Sequence, residues 1–267
     1  MSKSNIEWTN ETWNPTTGCN KVSRGCKHCY AEVMHKRLMK MQPKKYSHPF
    51  LDGAFEYPEA LNYPLTLKKP SMIFVDSMSD LFHKNISLDY IQKVFKVMND
   101  TPKHTYQVLT KRADRLFLVN GFLNWTNNIW MGVSVEDSKV YDRIIYLQQI
   151  DAKVKFLSCE PLVGPLHNID LNNIDWVICG GESGNKASPL HPDWVRSLRD
   201  QCKAAGVSFF FKQWGAWQPR CVPLTASTGI KSILWDDLFF SKVGKHKAGN
   251  LLDGKQYLEF PATFNHG

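Results

Sequence analysis

Ile129-Trp-Met-Gly-Val-Ser-Val-Glu-Asp137 is the stretch that decides the fold. Its opening residues lack the alternation of a half-exposed strand and suit one covered on both faces. The run turns polar at Ser134, Glu136 and Asp137. Asp137 or Ser138 can then cap a helix that carries Val140, Tyr141, Ile144, Ile145 and Gln148. A buried strand, a polar corner and a return helix make one βα unit.

The unit recurs in both directions. Met72–Val75, Tyr106–Leu109, Val154–Leu157, Trp176–Ile178 and Ser208–Phe211 are further apolar runs. They begin roughly 20–35 residues apart, the length of a strand plus its helix. Ser87 caps a helix with Ile91, Val94, Phe95 and Met98 at helical spacing. His191-Pro192-Asp193 opens another, with Trp194, Val195, Leu198 and Cys202 on one face and Gly206 at its end. A segment around Ile6–Trp13 adds a seventh strand-like unit. We therefore expect an α/β fold, a partial or open (βα)6-type barrel of parallel strands, with a doubly wound sheet as the second arrangement. One domain over 1–267 is expected: an N-terminal loop and connection (1–70), a βα repeat core (71–214) and an irregular C-terminal cap with a hairpin (215–267).

Bulk properties narrow the class. The chain has 267 residues, 43% of them hydrophobic and 22% charged, which is ordinary for a soluble globular protein. No apolar run reaches the length of about 18 needed for a membrane helix. The first residues lack the apolar core of a signal peptide. A reducing cytoplasm is the expected setting, where cysteines are metal ligands or buried thiols more often than disulfides. Net charge is +8, and the first fifty residues hold nine Lys or Arg against three acids. Such a patch suits an anionic substrate such as a nucleotide or nucleic acid, and a solvated helix face accounts for it equally well.

Chemistry in parallel α/β folds collects where strands end. Each apolar run here finishes in polar residues: Asp76-Ser77 with Ser79-Asp80, Thr110-Lys111-Arg112, Ser134 to Asp137, Ser158-Cys159-Glu160, Gly180-Gly181-Glu182 and Lys212-Gln213-Trp214. Six polar corners in succession exceed what helix caps alone require. Lys111, Glu136, Glu160 and Glu182 are the catalytic candidates. Cys159 and Cys179 fit either this rim or a set of inert buried thiols.

The N-terminal loop carries Cys19, Cys26 and Cys29 within eleven residues, followed by Tyr30. A four-iron, four-sulfur cluster normally takes four cysteines, so three would leave one iron open to a small molecule. The competing reading is a zinc-stabilised Cys3His nucleic-acid-binding module, with His35 or His28 as fourth ligand and no catalysis. A third is a hydrolase or lyase working through the carboxylate rim, with structural cysteines.

Three cysteines closing in Cys-x-x-Cys-Tyr before a helix, then a parallel α/β repeat with polar strand ends, resemble the radical S-adenosylmethionine (SAM) superfamily. Leu109 to Leu116, Val133 to Asp137 and Cys159-Glu160-Pro161 follow the order of spore photoproduct lyase-like members. The chain is also similar over nearly its full length to a phage- and prophage-associated three-cysteine family, through Trp8-Thr9, Trp13-Asn-Pro-Thr-Thr-Gly-Cys19 and Phe211-Lys-Gln-Trp-Gly215. The superfamily resemblance implies that Cys19, Cys26 and Cys29 hold a [4Fe-4S] cluster, whose fourth iron takes the SAM amine and carboxylate. Reductive cleavage of SAM would then generate a radical that abstracts hydrogen from substrate. It further implies Tyr30 near the adenine, Asp76 and Ser77 at the SAM amine, and Lys111, Ser134 and Glu136 at its carboxylate or ribose. Glu160, Glu182, Lys212 and Trp214 would face SAM or substrate, and a flavodoxin or ferredoxin would donate electrons. Two features depart from the pattern: the first two cysteines are separated by six residues instead of three, and Gly180-Gly181-Glu182 comes too late to serve as the SAM amine motif.

Overall fold

The computed structural model describes residues 4, 6–222, 224 and 229–262. Its strands are β1 (Glu11–Trp13), β2 (Thr16–Thr17), β3 (Phe55–Glu56), β4 (Met72–Val75), β5 (Thr105–Thr110), β6 (Ile129–Ser134), β7 (Val154–Cys159), β8 (Trp176–Gly180), β9 (Ser208–Gln213), β10 (Trp217–Arg220), β11 (Ser232–Trp235) and β12 (Leu238–Lys242). The helices are α1 (Tyr30–Met41), α2 (Tyr63–Thr66), α3 (Leu88–Asp100), α4 (Ala113–Val119), α5 (Asp142–Gln148), α6 (Pro192–Ala205) and α7 (Lys245–Ala248). Seven strands form an open sheet in the order β1-β4-β5-β6-β7-β8-β9, so the fold is α/β of the partial-barrel class with a C-terminal cap. All six expected apolar runs are strands. Among the described residues, no helix is long and apolar enough to cross a membrane.

Two compact units divide the chain, one of residues 1–134 and 142–157, the other of 135–141 and 158–267. The division runs through β7.

In the first unit, β1, β4, β5 and β6 pair in parallel, with Trp13 opposite Val75, Val75 opposite Val108, and Val108 opposite Met131. Every residue of β4 and β6 is buried, which explains their lack of alternation. Ser87 caps α3 as expected, accepting from the Tyr90 N–H at 3.2 Å. Tyr90, Ile91, Val94, Phe95 and Met98 form the buried face of that helix. Each large side chain so buried contributes about 1.5–3 kcal/mol, so Val94→Asp would break the packing of α3. Residues 41–70 form the connection from α1 to β4. It contains two 3-10 turns, α2, and β3, whose Phe55 and Glu56 pair antiparallel with Thr17 and Thr16.

In the second unit, β8 and β9 are parallel, with Trp176 opposite Ser208 and Cys179 opposite Phe211. His191 caps α6 through Nδ1, which accepts from the Asp193 N–H, Pro192 begins the helix, and Gly206 ends it in the left-handed conformation. The cap exceeds the expected hairpin: β10, β12 and β11 make a three-stranded antiparallel sheet. Asp236 and Asp237, both at positive φ, turn β11 into β12. Trp217, Phe240, Ala216 and Ala187 form its core.

Candidate functional site

The cysteine loop is built from β1 outward. Asn14 Oδ1 accepts from the Ser77 hydroxyl at 3.1 Å and the Met78 N–H at 3.0 Å. Thr16 donates its N–H and its hydroxyl to the two oxygens of Asp76, at 3.1 and 2.9 Å. The Trp13-Asn-Pro-Thr-Thr motif thus locks the corner after β4 to the loop bearing the thiols. Gly18 follows at φ +76, where a Cβ would stand 2.3 Å from the Gly53 carbonyl oxygen. Only glycine fits that approach. Cys19 then donates its N–H to the Phe50 carbonyl at 2.8 Å.

The three thiols share one neighbourhood. Cys19, Cys26 and Cys29 are all partly buried and free. Cys19 and Cys29 pack on the same apolar cluster of Ala31, Tyr46, Phe50 and Met78. Burial pushes the Cys19 thiol up to about 11, and Asp80 adds to the shift while Arg112 opposes it. Among the described residues no three His, Cys, Asp or Glu side chains converge as ligands of a single ion. Thiols on an iron–sulfur cluster each take a different iron and stand farther apart than thiols around one ion. Three soft sulfurs on one loop are the ligand type such a cluster takes, and Arg112 stands beside the first of them. His35 is differently engaged: its Nε2 meets the His48 carbonyl at 2.7 Å and its ring packs edge-on against Tyr46 and Phe50.

Asp80 is the hub behind the loop. It accepts from the Thr110 hydroxyl at 2.7 Å, the Lys111 N–H at 3.1 Å, the Phe82 N–H at 3.0 Å and Arg112 Nη1 at 2.7 Å. Arg112 donates onward to Asn20 Oδ1 at 2.7 Å and from both Nη atoms to Cys19 Sγ, each at 3.5 Å. His83 Nε2 meets Asn20 Oδ1 at 3.1 Å, and burial, reinforced by the Arg112 charge, lowers its pKa to about 4. Neither Asp80 nor Arg112 stands among the residues assigned from sequence. The polar corners containing them were visible, but the contact joining Arg112 to Cys19 spans 93 positions and left no local mark.

The expected SAM-facing residues of this unit are distributed unevenly. Lys111 Nζ donates to the Ser134 hydroxyl at 3.0 Å, so these two meet at the ends of β5 and β6. Ser77 spends its hydroxyl on Asn14, and Asp76 is buried with both oxygens taken by Thr16. Burial raises the Asp76 carboxyl to about 7, with Thr16 opposing the shift. Tyr30, 66% exposed, projects from the start of α1.

The second unit has its own polar group. Lys212 Nζ donates to both oxygens of Glu160, at 2.7 and 3.0 Å, and Gln213 Nε2 reaches the Gly181 carbonyl at 2.9 Å. Gln213 Oε1 is buried without a hydrogen-bond partner among the described residues. Glu182 accepts from the Ser188 N–H at 2.8 Å. Gly181 lies where a Cβ would meet the Trp214 carbonyl oxygen at 2.1 Å, so the glycine serves backbone packing there. Glu136 is buried, and its carbonyl accepts from the Val163 N–H at 2.9 Å. Trp214 is buried too, with its indole N–H on the Leu251 carbonyl at 2.9 Å.

No curated protein and no solved structure matches this chain. A family model does match, over residues 3–261, and the chain belongs to the family it describes, protein of unknown function (DUF5131).

Proposed function

We propose that the protein is a radical SAM enzyme whose Cys19, Cys26 and Cys29 hold a [4Fe-4S] cluster with one open iron. The observation that carries this reading is the three-thiol loop, tied by Thr16 and Asn14 to the corner after β4 and bordered by Arg112. When bound, the cluster would supply one electron for cleavage of SAM into methionine and a hydrogen-abstracting radical. The protein's own residues orient and shield. Lys111, with Ser134 beside it, offers an ammonium for a carboxylate, and Tyr30 offers an exposed ring for a base. In the second unit, the Lys212–Glu160 pair is the polar group offered to a ligand.

An anionic substrate, such as a nucleotide or nucleic acid, is supported by the outer stripe of α1. Tyr30, Val33, Arg37, Lys40 and Met41 recur at helical spacing and are exposed, with Lys36 and Lys44 alongside. None of the four α1-region cations Lys36, Arg37, Lys40 and Lys44 pairs with a carboxylate among the described residues. Cations flanking an exposed ring suit phosphate and base together.

The test is anaerobic reconstitution with iron and sulfide, then incubation with SAM and dithionite. Brown protein that releases 5′-deoxyadenosine is expected. A colourless protein containing one zinc, or a loaded protein that leaves SAM intact, would sink the reading.

A further inference from the structure

We propose that Arg112 is a positioning residue that fixes Cys19 and sets the reduction potential of the cluster, an inference resting on the radical SAM reading above. The guanidinium spans three groups at once. Nη1 reaches Asp80 Oδ2 at 2.7 Å and Cys19 Sγ at 3.5 Å, while Nη2 reaches Cys19 Sγ at 3.5 Å, Asn20 Oδ1 at 2.7 Å and the Asn20 carbonyl at 3.2 Å. Hydrogen bonds to sulfur are longer than those to oxygen, so both thiol contacts are in range. The side chain is only 11% exposed, and water screens it little.

The three thiols differ in this respect. Cys26 Sγ has the Ser23 hydroxyl at 3.8 Å, a neutral group. Cys19 alone of the three carries a contact to a guanidinium among the described residues. A fixed positive charge and two N–H donors at one sulfur favour the more negative, reduced form of a cluster. The potential rises as a result. In the reduction itself one electron passes from the donor to the cluster, and the guanidinium neither gains nor loses a proton.

The plainer account is that Arg112 neutralises the buried Asp80 carboxylate and touches Cys19 incidentally. The two accounts separate in the loaded protein. Neutralisation predicts a change in stability alone; the proposal predicts a change in potential as well. Lysine keeps the charge but cannot place two coplanar donors on sulfur while holding Asp80 and Asn20.

The experiment uses the full chain, wild type, Arg112→Lys and Arg112→Gln, reconstituted anaerobically with iron and sulfide. Iron content, melting temperature and midpoint potential by redox titration with EPR detection are measured. Asp80 keeps its Thr110, Lys111 and Phe82 donors in both variants, so the fold is expected to survive. The expected result is unchanged loading with a more negative potential, shifted furthest in Arg112→Gln and less in Arg112→Lys. Variants that load fully and titrate at the wild-type potential overturn the proposal and leave the function reading intact. Loss of cluster from both folded variants also overturns it, because Arg112 would then govern retention instead. A wild-type chain that takes up no iron and sulfide overturns the proposal together with the function.

Discussion

Two trios of cysteines occupy this chain, and their surroundings are opposite. Cys19, Cys26 and Cys29 sit on one N-terminal loop, partly open to solvent, beside a guanidinium. Cys159, Cys179 and Cys202 come from β7, β8 and α6 and are wholly buried. Burial raises Cys159 and Cys179 well above the ordinary thiol value, and Cys202 to about 12, with neighbouring thiols adding to the shifts of the first two. What separates the trios is access and chain position: the first lies on one loop within reach of solvent, and the second is drawn from three elements into the core.

That contrast can be broken most directly by substitution. Replacing Cys19, Cys26 or Cys29 by Ala is expected to abolish iron and sulfide uptake, measured by elemental analysis, without unfolding the chain. The corresponding change at Cys159, Cys179 or Cys202 should leave uptake intact. Loss of iron in the second group alone would invert the comparison.

A smaller effect lies in the joint beneath the loop. The Asp76 carboxyl has its pKa raised from 3.8 in the open chain to about 7 in the fold. The folded protein therefore binds the extra proton between these values, and stability through this group falls as pH rises from about 4 to 7. The full span is up to about 4 kcal/mol, at 1.36 kcal/mol per pKa unit. Asp76→Asn should remove this dependence, so the melting-temperature difference between wild type and variant should tilt with pH in that window. A flat difference would refute the buried-carboxyl account.

Gly18→Ala forces a methyl against the Gly53 carbonyl at positive φ, and should cost about 3 kcal/mol in denaturant unfolding while lowering iron uptake. Smallest is Cys179→Ser. It places a hydroxyl in an apolar core and should cost about 2 kcal/mol, with iron content unaffected.

The parallel sheet was legible because Met72–Val75, Ile129–Val133 and their counterparts are buried on both faces and so carry no alternation. Ser87 was legible as a cap because capping is a local interaction, whereas Asp137, offered with Ser138 as the start of a helix, caps a 3-10 turn (Ser138–Val140) and α5 begins only at Asp142. The corners after the strands were visible as polar, but polarity does not say where a side chain turns. Asp76 and Ser77 proved to be ties to Thr16 and Asn14, 60 or more positions away. Trp214 lay in a polar corner by sequence and is packed on Phe211 at 4.8 Å between ring centres. The Arg112–Cys19 contact joins loops that the chain sequence keeps far apart. Long-range pairing has no periodicity to betray it.

The clamp between Thr16 and Asp76 has a consequence for how the protein is assembled. Strand β1 pairs with β4 in parallel, and β2, between β1 and the thiol loop, pairs with β3. The loop's path is set by contacts within the polypeptide; on the radical SAM reading, the chain would fold before it takes up iron and sulfide.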